Sequence, residues 1–261
     1  MSPRLYRVSK VGAELLVPLA ILAAWQLWTV HAHSVKFPRL STILVEFRHM
    51  WLFSQFGEHV VPSLERIGIG YGIAVLAGIA LGVPLGLVPL LRKVAMPHLE
   101  YWRAMPPPAL LPISIVVLHS IGNLQKISFI AFFCFFPVLL NTIDGVRAID
   151  PTLVDTARSY GIPWHERIRR LVLPAAAPQI AAGMRNSLSL AVIMMVLSEY
   201  FSSTNGVGYV LLISKNTFQL APMWAAIVLI GVLGYVLNVL FLLAERRVLA
   251  WHRGWRAATA G

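Results

Sequence analysis

Two stretches of this chain carry residues of a type and spacing suited to acting on another molecule, and neither is built for bond-making catalysis. The first is Asp155-Thr156-Ala157-Arg158-Ser159-Tyr160-Gly161, followed by Pro163 and then by Leu173-Pro174. It is a polar, basic interruption between long apolar runs. A helix pressed into a cleft on another protein wants small residues, and Ala157 and Ser159 supply them. Gly161 allows a turn with positive φ, and Pro163 can start a following helix. Arg158 and Glu166 offer charge at the rim of such a contact. The second is Glu199, at the end of an apolar run otherwise free of acids. Acids at membrane depth are costly and usually functional. Glu199 is therefore expected at a gate or on a polar pathway, with a carboxylate solvated at the membrane surface as the alternative.

Other chemistry lacks its residues. No G-x-x-x-x-G-K-[ST] phosphate loop is present, so this chain does not supply an ATPase. His31 and His33 are close, but no H-E-x-x-H pattern accompanies them, and no metal site is expected. Cys134 is the only cysteine, which excludes an intrachain disulfide and a cysteine-based zinc site. Its neighbours Phe132, Phe133, Phe135 and Phe136 make it a membrane-core residue.

The elements that must position these residues are membrane helices. The chain is 57% hydrophobic and 13% charged, with mean hydropathy +0.71, against roughly 25% charged residues in soluble domains. That little charge does not cover a water-facing surface, and a bilayer supplies the missing apolar solvent. Six spans are expected: Leu15 to Val30, Ile67 to Leu91, Met105 to His119, Ile127 to Ile143, Pro178 to Leu197 and Met223 to Ala244. The first follows Arg4, Arg7 and Lys10, and is read as a retained anchor rather than a cleaved signal. Between Phe37 and His59, apolar residues at helical spacing predict an interfacial amphipathic helix.

Net charge is +11. Without base-stacking or groove-reading motifs it points to anionic lipid headgroups and to orientation, not to nucleic acid. Arg92, Lys93, Arg147, Arg158, Arg167, Arg169, Arg170, Arg246, Arg247, Arg253 and Arg256 lie with the N-terminal cations on one alternating set of helix ends. The opposite set holds fewer, Lys36, Arg39, Arg48, Lys126 and Lys215. Both termini are therefore expected to be cytoplasmic. No internal repeat or low-complexity linker appears, so residues 1–261 are read as a single domain. It comprises an anchor and amphipathic segment (1–60), a core (61–250) and a basic tail (251–261).

Two further motifs concern the path through the membrane. Pro106, Pro107, Pro108 and Pro112 fall at the third span. Consecutive prolines bar a regular helix. They predict either a broken helix beside a water-filled pathway or a loop at the cytoplasmic interface, with the span starting only at Ala109. Gly78, Gly82 and Gly86 recur every four residues and share one helix face. They permit tight packing, within the subunit by preference over a subunit interface.

From about Ser63 onward the chain resembles the permeases of ABC importers of the sulfonate, taurine and nitrate type. The resemblance runs through Ser63-Leu64-Glu65-Arg66, the glycine-rich second span, Arg103-Ala104-Met105-Pro106-Pro107-Pro108-Ala109-Leu110-Leu111-Pro112, and Phe136-Pro137-Val138-Leu139-Leu140-Asn141-Thr142. It continues through Asp150-Pro151, then Ala157, Gly161, Leu173 and Pro174 as the E-A-A, G and L-P landmarks of a cytoplasmic coupling loop, and Glu199 with Gly206-Val207-Gly208-Tyr209. Two departures stand out. Asp155 and Thr156 occupy the first two E-A-A positions, and the W-F-G-I-G segment common after the third span reads Leu118-His119-Ser120-Ile121-Gly122.

The resemblance implies an all-α integral membrane protein with the six-helix type I ABC-importer permease fold and a cytoplasmic coupling helix. It implies pairing with a second copy, two ATPase subunits that bind ATP and Mg, and a solute-binding protein that delivers substrate. The chain itself would bind no cofactor. A small anion such as a sulfonate or nitrate is the expected substrate, with a vitamin-precursor pyrimidine as the alternative. A secondary transporter is the rival of another class, but it calls for several intramembrane ionisable groups and inverted repeats, and neither is visible.

Overall fold

The computed structural model describes residues 3–32, 36–51 and 55–250, with side chains from residue 16 onward. The basic tail and His33 lie outside the described residues. Every regular element among those described is helical. Four helical stretches are long and apolar enough to cross a membrane: Phe56–Leu87, Asn123–Arg147, Trp164–Ser202 and Leu220–Val248. They fall on the second, fourth, fifth and sixth expected spans. The first expected span lies in α1 (Pro3–Ala32), whose apolar stretch is Leu16–Ala32, and the third in α5 (Pro107–Leu118). With 12 residues, α5 covers only about 18 Å of a roughly 30 Å hydrocarbon core.

The centre is a three-helix stack. α6 (Asn123–Arg147) packs on α3 (Val61–Leu87) along one face and on α9 (Leu173–Ser202) along another. The glycine stripe makes the α3–α6 approach possible. A Cβ added at Gly78 would sit 2.8 Å from Val138, one at Gly82 2.6 Å from Thr142, and one at Gly86 2.6 Å from Val146. The intrasubunit use of these glycines is therefore the one realised here. The stripe extends upstream through Ala74 to Gly70, where a Cβ would meet Ile130. On the other face of α6 the small residues alternate between partners: Gly145 abuts Ala176 and Gln179, and Gly183 of α9 abuts Asn141. Ile67, Ile130, Phe133, Cys134, Ala191 and Met195 fill the core between the three helices, and Cys134 is fully buried, as expected.

Several element boundaries depart from the expected spans. α3 ends at Leu87, where Val88 turns to extended backbone ahead of Pro89. A separate amphipathic helix follows, α4 (Pro89–Ala104), with no buried residue. The fifth span begins far upstream of Pro178, because α8 (Trp164–Arg167) continues through a π-helical turn at Ile168–Val172 into α9. Pro174 and Pro178 sit within that helical stretch without ending it. The amphipathic segment after Phe37 is helical, as its spacing predicts, and its buried face meets protein. α2 (Leu40–His49) packs against α11 (Leu220–Val248). Ile43, Met50 and Trp51 are buried, and Trp51 is 1% exposed. α10 (Val207–Asn216), another helix absent from the expected spans, completes that cluster with Val207 and Val210.

Candidate functional site

The polar segment that opened the sequence reading forms α7 (Pro151–Ser159), a short helix between α6 and α8. Its start follows from local chemistry. Asp150 is the N-cap and its carboxylate accepts from the Thr152 N–H at 2.9 Å, which holds the Asp150 carboxyl below its usual range. Pro151 takes the first helical position. Its end is a glycine C-cap. Gly161 has φ +68°, its N–H donates to Arg158 O at 2.9 Å, and the Ile162 N–H donates to Ala157 O at 3.1 Å. That pair of bonds is a Schellman motif, which needs a left-handed residue after the helix. No atom lies within 4 Å of a Cβ at Gly161, so the backbone angle alone calls for glycine. Pro163 is the N-cap of α8 rather than its first residue.

The outward face of this segment differs from the one expected. Ala157 is 7% exposed and is used inside the chain. The apolar residues left open are Leu153, Tyr160, Ile162 and Trp164, with Tyr160 81% and Trp164 68% exposed. Asp155 and Arg158 face solvent and, among the described residues, pair with each other at 3.5 Å. Thr156 and Ser159 turn their hydroxyls back to the carbonyls of Thr152 and Asp155.

Glu199 is neither solvated at the surface nor open to a water path. It is fully buried, and its carboxylate is satisfied by protein. Arg66 Nη1 of α3 donates to it at 2.6 Å, the Gly208 N–H at 3.0 Å, and Ser63 Oγ lies 2.8 Å away. Arg66 is 3% exposed and also donates to Asn205 Oδ1 at 2.6 Å, Asn205 O at 3.2 Å and Asn123 Oδ1 at 2.9 Å. Ser63 Oγ accepts from the Val207 N–H at 3.0 Å. His59 Nδ1 accepts from the Gly206 N–H at 3.1 Å, which puts the imidazole proton on Nε2. Gly206 has φ +111°, and a Cβ there would collide with the Glu199 carboxylate. Six charge-bearing or polar side chains from distant elements thus tie the ends of α3, α6 and α9 to the start of α10.

Two cations in the apolar stack are held by partners within the chain. Lys126, counted among the outer interfacial charges, is 2% exposed and donates inward to Ile121 O at 2.6 Å. Arg185, at membrane depth in α9, pairs with Glu245 of α11.

The prolines before α5 start a helix instead of breaking one. Met105 and Pro106 are extended, Pro106 is the N-cap, Pro107 and Pro108 open α5, and Pro112 lies inside it. The stretch is thus a turn between α4 and α5, with the helix opening at Pro107, two residues before the Ala109 of the second sequence reading. Pro107 borders a cleft of about 560 Å³ between α4, α6 and α9. Arg92, Arg103 and Arg147 enter the cleft with Glu100, Asp144, Asn141 and Asn186, over apolar walls that include Phe136 and Leu190.

The arrangement holds a polar cleft beside a stack of apolar helices, with a short exposed helix projecting from between two of them. Comparison with known proteins gives it a family. The profile described as binding-protein-dependent transport system inner membrane component matches residues 74–250. This chain belongs to that family. The permease is 31% identical over 245 residues to the putative aliphatic sulfonates transport permease protein SsuC of Bacillus subtilis, covering 92% of this chain and 88% of the relative. It is 30% identical to the taurine transport system permease protein TauC of Escherichia coli, with 75% and 70% covered. It is 29% identical to the nitrate import permease protein NrtB of Leptolyngbya laminosa, with 69% and 64% covered. In fold it resembles a chain of the inward-facing MetNI methionine ABC transporter, with TM-score 0.65 and 18% identity over 73% of this chain and 94% of the other.

As an ABC-importer permease the chain is a transport subunit and not itself an enzyme. Sequence reasoning singled out Glu199 in this permease but missed Arg66, Ser63, His59 and Asn205. The signal for Arg66 was present: an arginine just inside a long apolar helix needs a counter-charge, and Glu199 was the lone acid in a second one. Gly70 lay in the same four-residue register through Ala74, but nothing in the sequence marked the burial of Lys126.

Proposed function

We propose that this permease carries a small organic or inorganic anion, of the sulfonate or nitrate kind, inward through a pathway shared by two copies of the chain. The relatives' substrates and the three guanidinium groups of the α4–α6–α9 cleft support that substrate class. A pyrimidine precursor remains the alternative solute; the excess of cleft cations favours the anion. All six apolar helices cross the membrane in this reading, the short α5 with help from its flanking turns, and both termini are cytoplasmic. Residues 1–261 act as one domain in the inner membrane. The polar cleft supports pairing: Asn186 is exposed in the middle of α9, and lipid would leave its amide unsatisfied.

Two ATPase subunits, each binding ATP and Mg, dock on the α7 segments, and a solute-binding protein delivers the anion from outside. The observation that carries this reading is the α7 segment, a helix capped by Asp150 and Gly161 that leaves Leu153, and Tyr160, Ile162 and Trp164 just beyond its end, uncovered. Glu199 acts at the outer gate by holding helix ends together, not by touching the solute. Pro106, Pro107, Pro108 and Pro112 shape the wall of the pathway.

Reconstitution with the cognate ATPase and binding protein tests the proposal. ATP-dependent uptake of labelled taurine, alkanesulfonate or nitrate is expected. Uptake of a neutral pyrimidine with no anion uptake would replace the substrate class, and uptake driven by an ion gradient without ATP would replace the mechanism.

A further inference from the structure

We propose that the cleft between α4, α6 and α9 is a binding site for a small oxyanion in solution, with Arg92 as its principal cation. This deepens the anion-permease reading and rests on it. The cleft's three guanidinium groups face two carboxylates. Arg103 is paired with Glu100 at 2.6 Å and Arg147 lies 3.7 Å from Asp144. Arg92 is half-buried and donates to the Gly86 carbonyl at 3.3 Å, a neutral partner that leaves its charge uncompensated. An arginine fork matches the geometry of a sulfonate, carboxylate or phosphate head.

Orientation bias explains cations at helix ends, but not the amides that meet them here. Asn141 and Asn186 reach the same cleft from the interiors of α6 and α9, and Ser189 is exposed one turn beyond Asn186. Asn141 is already positioned, donating to Pro137 O at 2.8 Å and accepting from Gln179 at 3.0 Å. The volume of about 560 Å³ falls within the range of small-molecule sites, and the apolar walls strengthen the field of the cations by excluding water.

The test uses the full-length permease in nanodiscs of zwitterionic lipid. Cys134 is fully buried and stays in place, and the unsubstituted chain serves as the background control. Asn186→Cys is reacted with a sulfonate-bearing methanethiosulfonate and with its trimethylammonium counterpart, each rate normalised to a free thiol. The sulfonate reagent is expected to be favoured. Arg92→Gln should cut that preference by about threefold to tenfold, and Arg92→Lys should keep most of it. Free methanesulfonate should slow the labelling. No preference for the anionic reagent, or one insensitive to Arg92→Gln in a chain that still folds with Arg92→Lys, would overturn the site. Slowing by added anionic lipid but not by methanesulfonate would assign the cleft to a lipid headgroup and overturn the solute. None of these readouts needs transport, so failure of the importer reading shows separately, as absent uptake.

Discussion

The knot around Glu199 and the α7 segment are both polar interruptions of an apolar chain, and they solve that problem in opposite ways. Around Glu199, every charged group is withdrawn from solvent and answered by a residue from a distant element: Arg66 lies 133 positions from Glu199 and 139 from Asn205. In α7 the bonds are local, within a few residues, and the apolar side chains are left uncovered. The knot is complete within one subunit and fixes the helices relative to each other. The segment is complete in backbone only and presents a surface. A polar cluster saturated inside the chain reads as a structural device, and one satisfied only in its backbone reads as a place for a partner.

The largest effect that would sharpen this contrast is removal of one charge from the knot. Glu199→Gln leaves Arg66 buried without a counter-charge, and such losses cost about 3–5 kcal/mol. A clear drop in the unfolding temperature of the detergent-solubilised permease is expected. Arg66→Met in the same chain should restore part of it, because the orphaned cation is gone. Unchanged unfolding in Glu199→Gln would make the carboxylate dispensable and erase the difference between the two regions.

Next comes the packing that brings the knot's helices together. Gly82→Ala sets a methyl 2.6 Å from Thr142 on α6, and overpacking of this kind costs about 1–3 kcal/mol. Lower thermal stability, with partial recovery in a Thr142→Ala background, is the expected result. A neutral Gly82→Ala would mean that α3 and α6 sit further apart.

Smaller in stability, but decisive for the segment, is Gly161→Val. A β-branched residue held at φ +68° is strained by about 1–3 kcal/mol. The strain falls on the end of α7 and not on the stack. Unfolding of the isolated permease should barely change while co-purification with the ATPase is lost, and Gly161→Asn, which tolerates positive φ, should retain it. Equal binding by both variants would remove α7's C-terminal turn from the docking surface.

The smallest effect is expected for Arg158→Gln. Its ion pair with Asp155 is exposed at 65% and 70%, and such pairs contribute about 0.3–0.5 kcal/mol. Neither stability nor membrane insertion should change measurably. A loss of ATPase binding there would show that charge, in addition to the exposed Tyr160 and Trp164, carries the contact.

By itself, the sequence determined the membrane class, the polar segment, its stop at Gly161 and the isolation of Glu199 in an apolar run. Those depend on composition, on hydropathy summed over a span, and on local backbone chemistry that few neighbours can change. It also placed the glycine stripe on one face, since a four-residue period is a property of any helix. Only the tertiary structure decided what each of these meets. Whether Gly82 faces Thr142 or lipid, whether Ala157 points inward or out, and whether Glu199 is hydrated or paired with Arg66 depends on how helices far apart in the chain pack. The span boundaries failed for a related reason. Hydropathy marks where lipid ends, whereas a helix ends where its backbone finds other partners; the fifth span's helical stretch therefore begins at Trp164 and α3 ends at Leu87.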